Sequence, residues 1–221
     1  MESLAGFRPE MLDFKRGIHV GNLEESQRIT RILKLALELR YGQPFVTERW
    51  GRGVYWRWIG FLARANREAK PLSSHVSFGC SKFFITVDLE EQLFKCGLQV
   101  ERGYVKAPPG AREMQLQPDW DWLRLLEALR PGGAMAKQLS RLSRDGFNIY
   151  PETGPGVIKL KRILQAAPPG EWAWFQIYYS MTQSEVLAAS GAGLVDSMLA
   201  IFDELTPVAN LCMQIQLPAR G

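Results

Sequence analysis

Six basic side chains, Arg49, Arg52, Arg57, Arg64, Arg67 and Lys70, stand in one stretch against the single acid Glu68, interleaved with Trp50, Tyr55, Trp56, Trp58 and Phe61. Setting this stretch aside leaves 21 of the 27 bases and 22 of the 23 acids, so it carries the whole formal charge of +4. Arginine offers a planar fork of donors and an aromatic ring offers a stacking platform, so the combination points to a surface that faces an anion, nucleic acid or another anionic partner. The expected binding set is those six bases with Tyr55. The competing reading puts the rings in the core. On a strand Val54, Trp56 and Trp58 share one face and Tyr55, Arg57 and Ile59 the other, and tryptophans at alternating positions more often pack inward than stack on a ligand.

Other groups that could do chemistry are sparse. His19 and His75 are the only histidines, 56 positions apart and without a spaced set of carboxylates, which leaves no metal site to assemble. His75 lies near Ser74, Ser77 and Cys80, a setting in which an imidazole could activate a nucleophile. Strand parity sets His75, Ser77 and Gly79 on one face and Cys80 on the other, and no Gly-x-Ser-x-Gly elbow surrounds the serine. Asp88, Glu90, Glu91 and Glu101 surround a hairpin and could act as an acid and base pair or hold a divalent ion. Glu101-Arg-Gly-Tyr-Val-Lys106 has the wrong spacing for a nuclease of the Glu-x-Lys kind. Gly51-Arg-Gly53 and Gly154-Pro-Gly156 lack the ending of a phosphate loop, and Ser190-Gly-Ala-Gly193 reads as a loop before a helix. Asp119 and Asp121 read as the cap and first-turn charges of a helix. No cofactor is indicated and the catalytic residues are unknown.

Periodicity supplies the elements that must position these groups. A helix is expected over 23–40, where Ile29, Ile32, Leu33, Ala36 and Leu37 recur at helical spacing before Gly42 and Pro44. A strand is expected over 54–59, then two more over 76–87 and 97–105 joined by Asp88-Leu-Glu-Glu91. Helices come next over 120–129 and 134–144. The stretch 157–164 fits a strand or a short helix, 172–179 fits a strand better than a helix, and a broad apolar stripe makes 194–205 a helix ending before Pro207. Helices and strands come in runs rather than in alternation, which gives an α+β class: a mainly antiparallel sheet covered by helices, in a single domain over 1–221.

Composition agrees. The chain of 221 residues, 46% apolar and 23% charged, can bury a full core. Cys80, Cys96 and Cys212 are an odd number without paired spacing and read as buried thiols in a reducing compartment. The first residues hold Arg8, Glu10, Asp13, Lys15 and Arg16 in place of an export signal, and no apolar run reaches the length of a membrane span. A cytoplasmic location without membrane contact is the expectation.

Lys82-Phe-Phe-Ile-Thr-Val-Asp88, then Cys96-Gly-Leu-Gln-Val100, then a helix ending in Leu205-Thr-Pro207 resemble the order in uncharacterised bacterial families of conserved proteins, the YktB-like proteins among them. The resemblance spans roughly 75–211 and rests on patterning. It implies helices around a mostly antiparallel sheet, and it implies no reaction and no functional residue. The sequence therefore favours a non-enzymatic binding or interaction module. An enzyme with its site on the sheet near His75, Ser77 and Glu101 is the rival reading, and a homodimer that buries the aromatic surface is a third.

Overall fold

Strand-forming residues gather in the first half of the chain and in one late segment, and the structure joins them in a single sheet. The structure is a computed structural model that describes residues 6–70, 80–102, 120–153, 156–168, 171 and 173–218. In chain order the elements are β1 (Leu12–Asp13), β2 (Gly17–His19), α1 (Ile29–Tyr41), β3 (Phe45–Arg52), β4 (Tyr55–Ala63), α2 (Arg64–Glu68), β5 (Ser81–Asp88) and β6 (Leu93–Glu101). They continue as α3 (Asp121–Ala128), α4 (Ala134–Arg144), β7 (Asn148–Tyr150), α5 (Val157–Gln165), β8 (Trp174–Thr182), α6 (Gln183–Ala188) and α7 (Gly191–Cys212). The eight strands run antiparallel in the order β1-β2-β4-β5-β6-β8-β7, and β3 lies along the far side of β4. This is the expected α+β fold.

Alternation divides the sheet into two unlike faces. Phe61, Phe83, Ile85, Cys96, Leu98, Phe175 and Ile177 point to one face and join the main core. Helices cover that face: the Phe202 ring of α7 lies 4.8 Å from Phe83 and 6.5 Å from Phe61, and Tyr41 of α1 lies 6.2 Å from Phe83. The residues that alternate with these, Glu48, Trp58, Lys82, Phe84, Gln99, Glu101 and Gln176 among them, point the other way.

Several boundaries differ from the sequence reading for identifiable reasons. The helix expected from Leu23 begins at Ile29, because Glu24 and Gln27 close a capping box on a short 3-10 turn over Glu25–Gln27 instead. The aromatic strand is the second half of a hairpin: β3, not foreseen, pairs with β4 along its whole length. The ambiguous 157–164 stretch is helical and 174–182 is a strand. The tail helix runs through Pro207 to Cys212. A proline inside a helix costs about 3 kcal/mol, which burial of Val208, Ala209 and Cys212 offsets. The start of the strand expected from Val76, and the His75 and Ser77 face, lie outside the described residues. No helix among the described residues is long and apolar enough to cross a membrane.

Candidate anion-binding site

The turn between β3 and β4 is the two residues Gly53-Val54, with Gly53 at φ 62°, and the end of β2 clamps it through the N–H groups of Val20 and Gly21, 2.8 and 3.2 Å from the Val54 carbonyl. Just before the turn the ladder slips: Trp50 faces Trp58 while Gly51 faces Trp56, so Arg57 is an extra residue on β4. Gly51 is required there, since it sits at φ 151° and a Cβ would come within 2.6 Å of the Trp56 Cα. The bulge also corrects the parity reading. Trp56 and Trp58 do not share a face: Trp56 pairs across from Ile18 and packs on the core, whereas Trp58 stacks on Phe84 on the opposite side at 6.4 Å.

Around this end of the sheet arginines lie over rings. The Arg49 guanidinium is 4.2 Å from the centre of Trp56, Arg57 is 5.7 Å from Trp50, and Arg16 is 4.3 Å from Tyr55. His19 stacks on Tyr55 at 4.9 Å. Arg49, Arg52 and Arg57 are exposed, and Trp50 keeps 65% of its surface in solvent. Each cation meets the negative face of a ring: Arg57 over Trp50 and Arg16 over Tyr55 lie on the face away from the helices, whereas Arg49 over Trp56 lies on the helix side of the same sheet end.

The remaining predicted bases are elsewhere. Arg64 and Arg67 belong to α2 at the other end of β4, about 20 Å from Arg57 by strand rise, with Arg64 exposed and Arg67 half-buried. Lys70 is buried, its ammonium 2.8 Å from Asp121 Oδ1 and 3.0 Å from Asn66 Oδ1. Asp121, read from the sequence as a first-turn dipole charge, is thus an interior counter-ion that also accepts from the Asn66 amide and the Ser81 N–H. Of the seven expected residues, Arg52, Tyr55 and Arg57 lie with Trp50 on one face, and Arg49 lies at the same end of the sheet on the other. Arg16 and His19 join them although sequence distance hid them; the alternation of Ile18 and Val20 with His19 was the signal for the strand that carries His19, with Arg16 in the turn just before it.

No family model, characterised protein or solved structure matches the chain.

A second polar cluster lies on the face away from the helices. Lys82, buried, donates to Glu48 at 2.8 Å and to Glu101 at 3.0 Å, Glu101 accepts from Gln99, and Gln99 accepts from Gln176. Burial alone would depress the Lys82 ammonium, but Glu101 and Glu48 outweigh it and hold its pKa above the ordinary lysine range. The carboxylates expected to gather at the hairpin separate. Asp88 and Glu91 each hold Lys95 at 2.8 Å, whereas Glu101 lies at the far end of β6 on Lys82. Cys80 is buried, and burial with Asp121 close by pushes its thiol up to about 12, far from a poised nucleophile. Ser190 Oγ accepts the Gly193 N–H at 3.0 Å, so the Ser190–Gly193 run is the cap of α7. No cluster of metal-ligating side chains occurs among the described residues.

Proposed function

We propose that the protein is a non-enzymatic binding module that takes a polyanion, with single-stranded nucleic acid the best fit, at the β3–β4 hairpin end. One observation carries this reading: three arginine–ring pairs and the exposed Trp50 gather at one end of one sheet. The contact set is Arg16, Arg49, Arg52, Arg57, Trp50 and Tyr55. Arg16 is already engaged by Asp13 at 2.6 Å, so its donors are partly spent. Arg64, Arg67 and Lys70 have no part in it, which lowers the charge available to a ligand. Three or four phosphate contacts on a single strand give a salt slope of about 2 to 3, where six bases would have given about 4.

The test is fluorescence anisotropy with short single- and double-stranded oligonucleotides at several salt concentrations. Affinity for the single strand is expected to fall with salt at that slope and to vanish in an Arg52→Glu/Arg57→Glu variant whose circular dichroism is unchanged. Absence of binding at low salt, or binding indifferent to the double charge reversal, would remove the hairpin end from consideration.

A further inference from the structure

The outer side of β3 is a strand edge with a defined hydrogen-bonding phase. Among the described residues β3 pairs with β4 alone. The Arg64 N–H donates to the Pro44 carbonyl at 2.9 Å in line with the register, so the even-numbered residues of β3 turn their backbone groups toward β4 and the odd-numbered ones turn theirs outward. Phe45 agrees: its N–H leaves the sheet and is taken by Glu38 Oε1 at 3.0 Å. Beyond it the outward groups belong to Thr47, Arg49 and Gly51, and residues 49–52 are all exposed. An edge of this kind is a template for another strand.

We propose that this edge pairs antiparallel with β3 of a second copy of the chain, in the register centred on Trp50. Only registers that set odd residues against odd ones align the outward groups, and like-charge contacts disfavour two of them. A pair centred on Glu48 sets that carboxylate, already held by Lys82, against its own copy, and one centred on Arg49 sets two exposed arginines face to face, the less favourable of the two. Centred on Trp50, the register puts Arg52 of each copy opposite Glu48 of the other, brings the two Trp50 rings together at the two-fold axis, and meets Arg49 with Gly51, which has no side chain to clash. The pairing is isologous and closes as a dimer. It joins two β3 edges only, an area at the small end for protein contacts, so association is weak and concentration-dependent. The dimer is argued from the strand edge and not from the polyanion reading, but it engages Trp50 and Arg52, so strand pairing and polyanion binding would compete for these two residues.

Mass is measured without ligand, by sedimentation from low to high micromolar protein, and should rise toward that of two chains. The register is tested by oxidation. Residue 50 directs its backbone to β4, so the two copies of position 50 form a non-hydrogen-bonded pair with Cα atoms about 4.5 Å apart, within disulfide range. Trp50→Cys should therefore link to its own copy several-fold more than Thr47→Cys, whose partner position is Gly53. The native thiols at Cys80, Cys96 and Cys212 are buried and do not compete. A mass that stays at one chain throughout overturns the pairing. A rising mass in which Trp50→Cys links no better than Thr47→Cys overturns the register. Because neither measurement contains an anion, loss of oligonucleotide binding would leave the result untouched.

Discussion

Arg57 and Lys70 come from the same basic stretch and carry the same charge, yet they sit in opposite surroundings. Arg57 is an exposed bulge residue beside a ring, and Lys70 is sealed in the interior against Asp121, both side chains of that ion pair having 0% exposure. The difference lies in the elements that meet at each residue. Arg57 stands at a strand end where the Thr86 hydroxyl bonds its carbonyl but its side chain stays in solvent, whereas Lys70 closes a short helix at the point where α2, β5, α3 and the chain after α7 converge. There Asn66 Oδ1 accepts from Lys70 and from the N–H groups of Gln214 and Ile215, while Asp121 holds Lys70, Asn66 and Ser81. Charge count in a sequence therefore measures neither exposure nor availability to a ligand.

The sharpest way to break this contrast is to cut the interior pair. Asp121→Ala would leave the Asn66 amide and the Ser81 N–H without this acceptor and the Lys70 ammonium with only the Asn66 oxygens and no counter-ion, and removing one member of a buried pair costs about 3–5 kcal/mol. Lys70→Ala should cost somewhat less, because Asp121 keeps its other two donors. Urea melts read both. A loss under about 1 kcal/mol for Asp121→Ala would mean the pair behaves like a surface bridge, and the contrast with Arg57 would be gone.

Lys82 sharpens the comparison, being a lysine as buried as Lys70 but facing the side of the sheet away from the helices. Lys82→Met strands Glu101 and Glu48, and since water reaches Glu48, whose side chain is 26% exposed, the expected cost is about 2–3 kcal/mol. The raised pKa fixes the sign of its pH dependence: the contribution is present below the ordinary lysine value of 10.5 and is lost as pH rises through the higher folded value. The stability gap between wild type and Lys82→Met should hold constant through neutral and mildly alkaline pH and close only above that range. A gap that closes between pH 8 and 10 would place the folded pKa below 10.5 and contradict the carboxylate clamp.

The fold class and most elements could be read from periodicity, because the helices of the second half and the β5–β6 hairpin have strong local patterns. The site could be read only in part. Arg49, Arg52, Tyr55 and Arg57 are neighbours along the chain and stay neighbours in space, but the face each ring occupies depends on a one-residue bulge, and a period of two cannot survive an extra residue. Gly51 was the local sign of that slip, although in the sequence it stood out only as part of a Gly-Arg-Gly run without a phosphate-loop ending. Arg16, His19, Lys82 with Glu48, and Lys70 with Asp121 are joined by pairing across tens of residues, which local pattern does not encode.

Within the hairpin the two tryptophans divide the same question at a smaller scale. Trp56 packs on the core, so Trp56→Ala should cost about 1–3 kcal/mol in a melt, less than a fully buried tryptophan. Trp50 is mostly in solvent, and Trp50→Ala should leave stability within about 0.5 kcal/mol. Its effect belongs to binding: a base stacked on it contributes about 1–3 kcal/mol, and that contribution is not ionic. Trp50→Ala should therefore weaken single-strand affinity while leaving the salt slope unchanged, whereas removal of the Arg57 charge should lower the slope by about 0.7. If Trp50→Ala flattened the slope as well, the ring would be acting by holding the Arg57 guanidinium in place, and the stacking platform would be a scaffold for charge rather than a contact of its own.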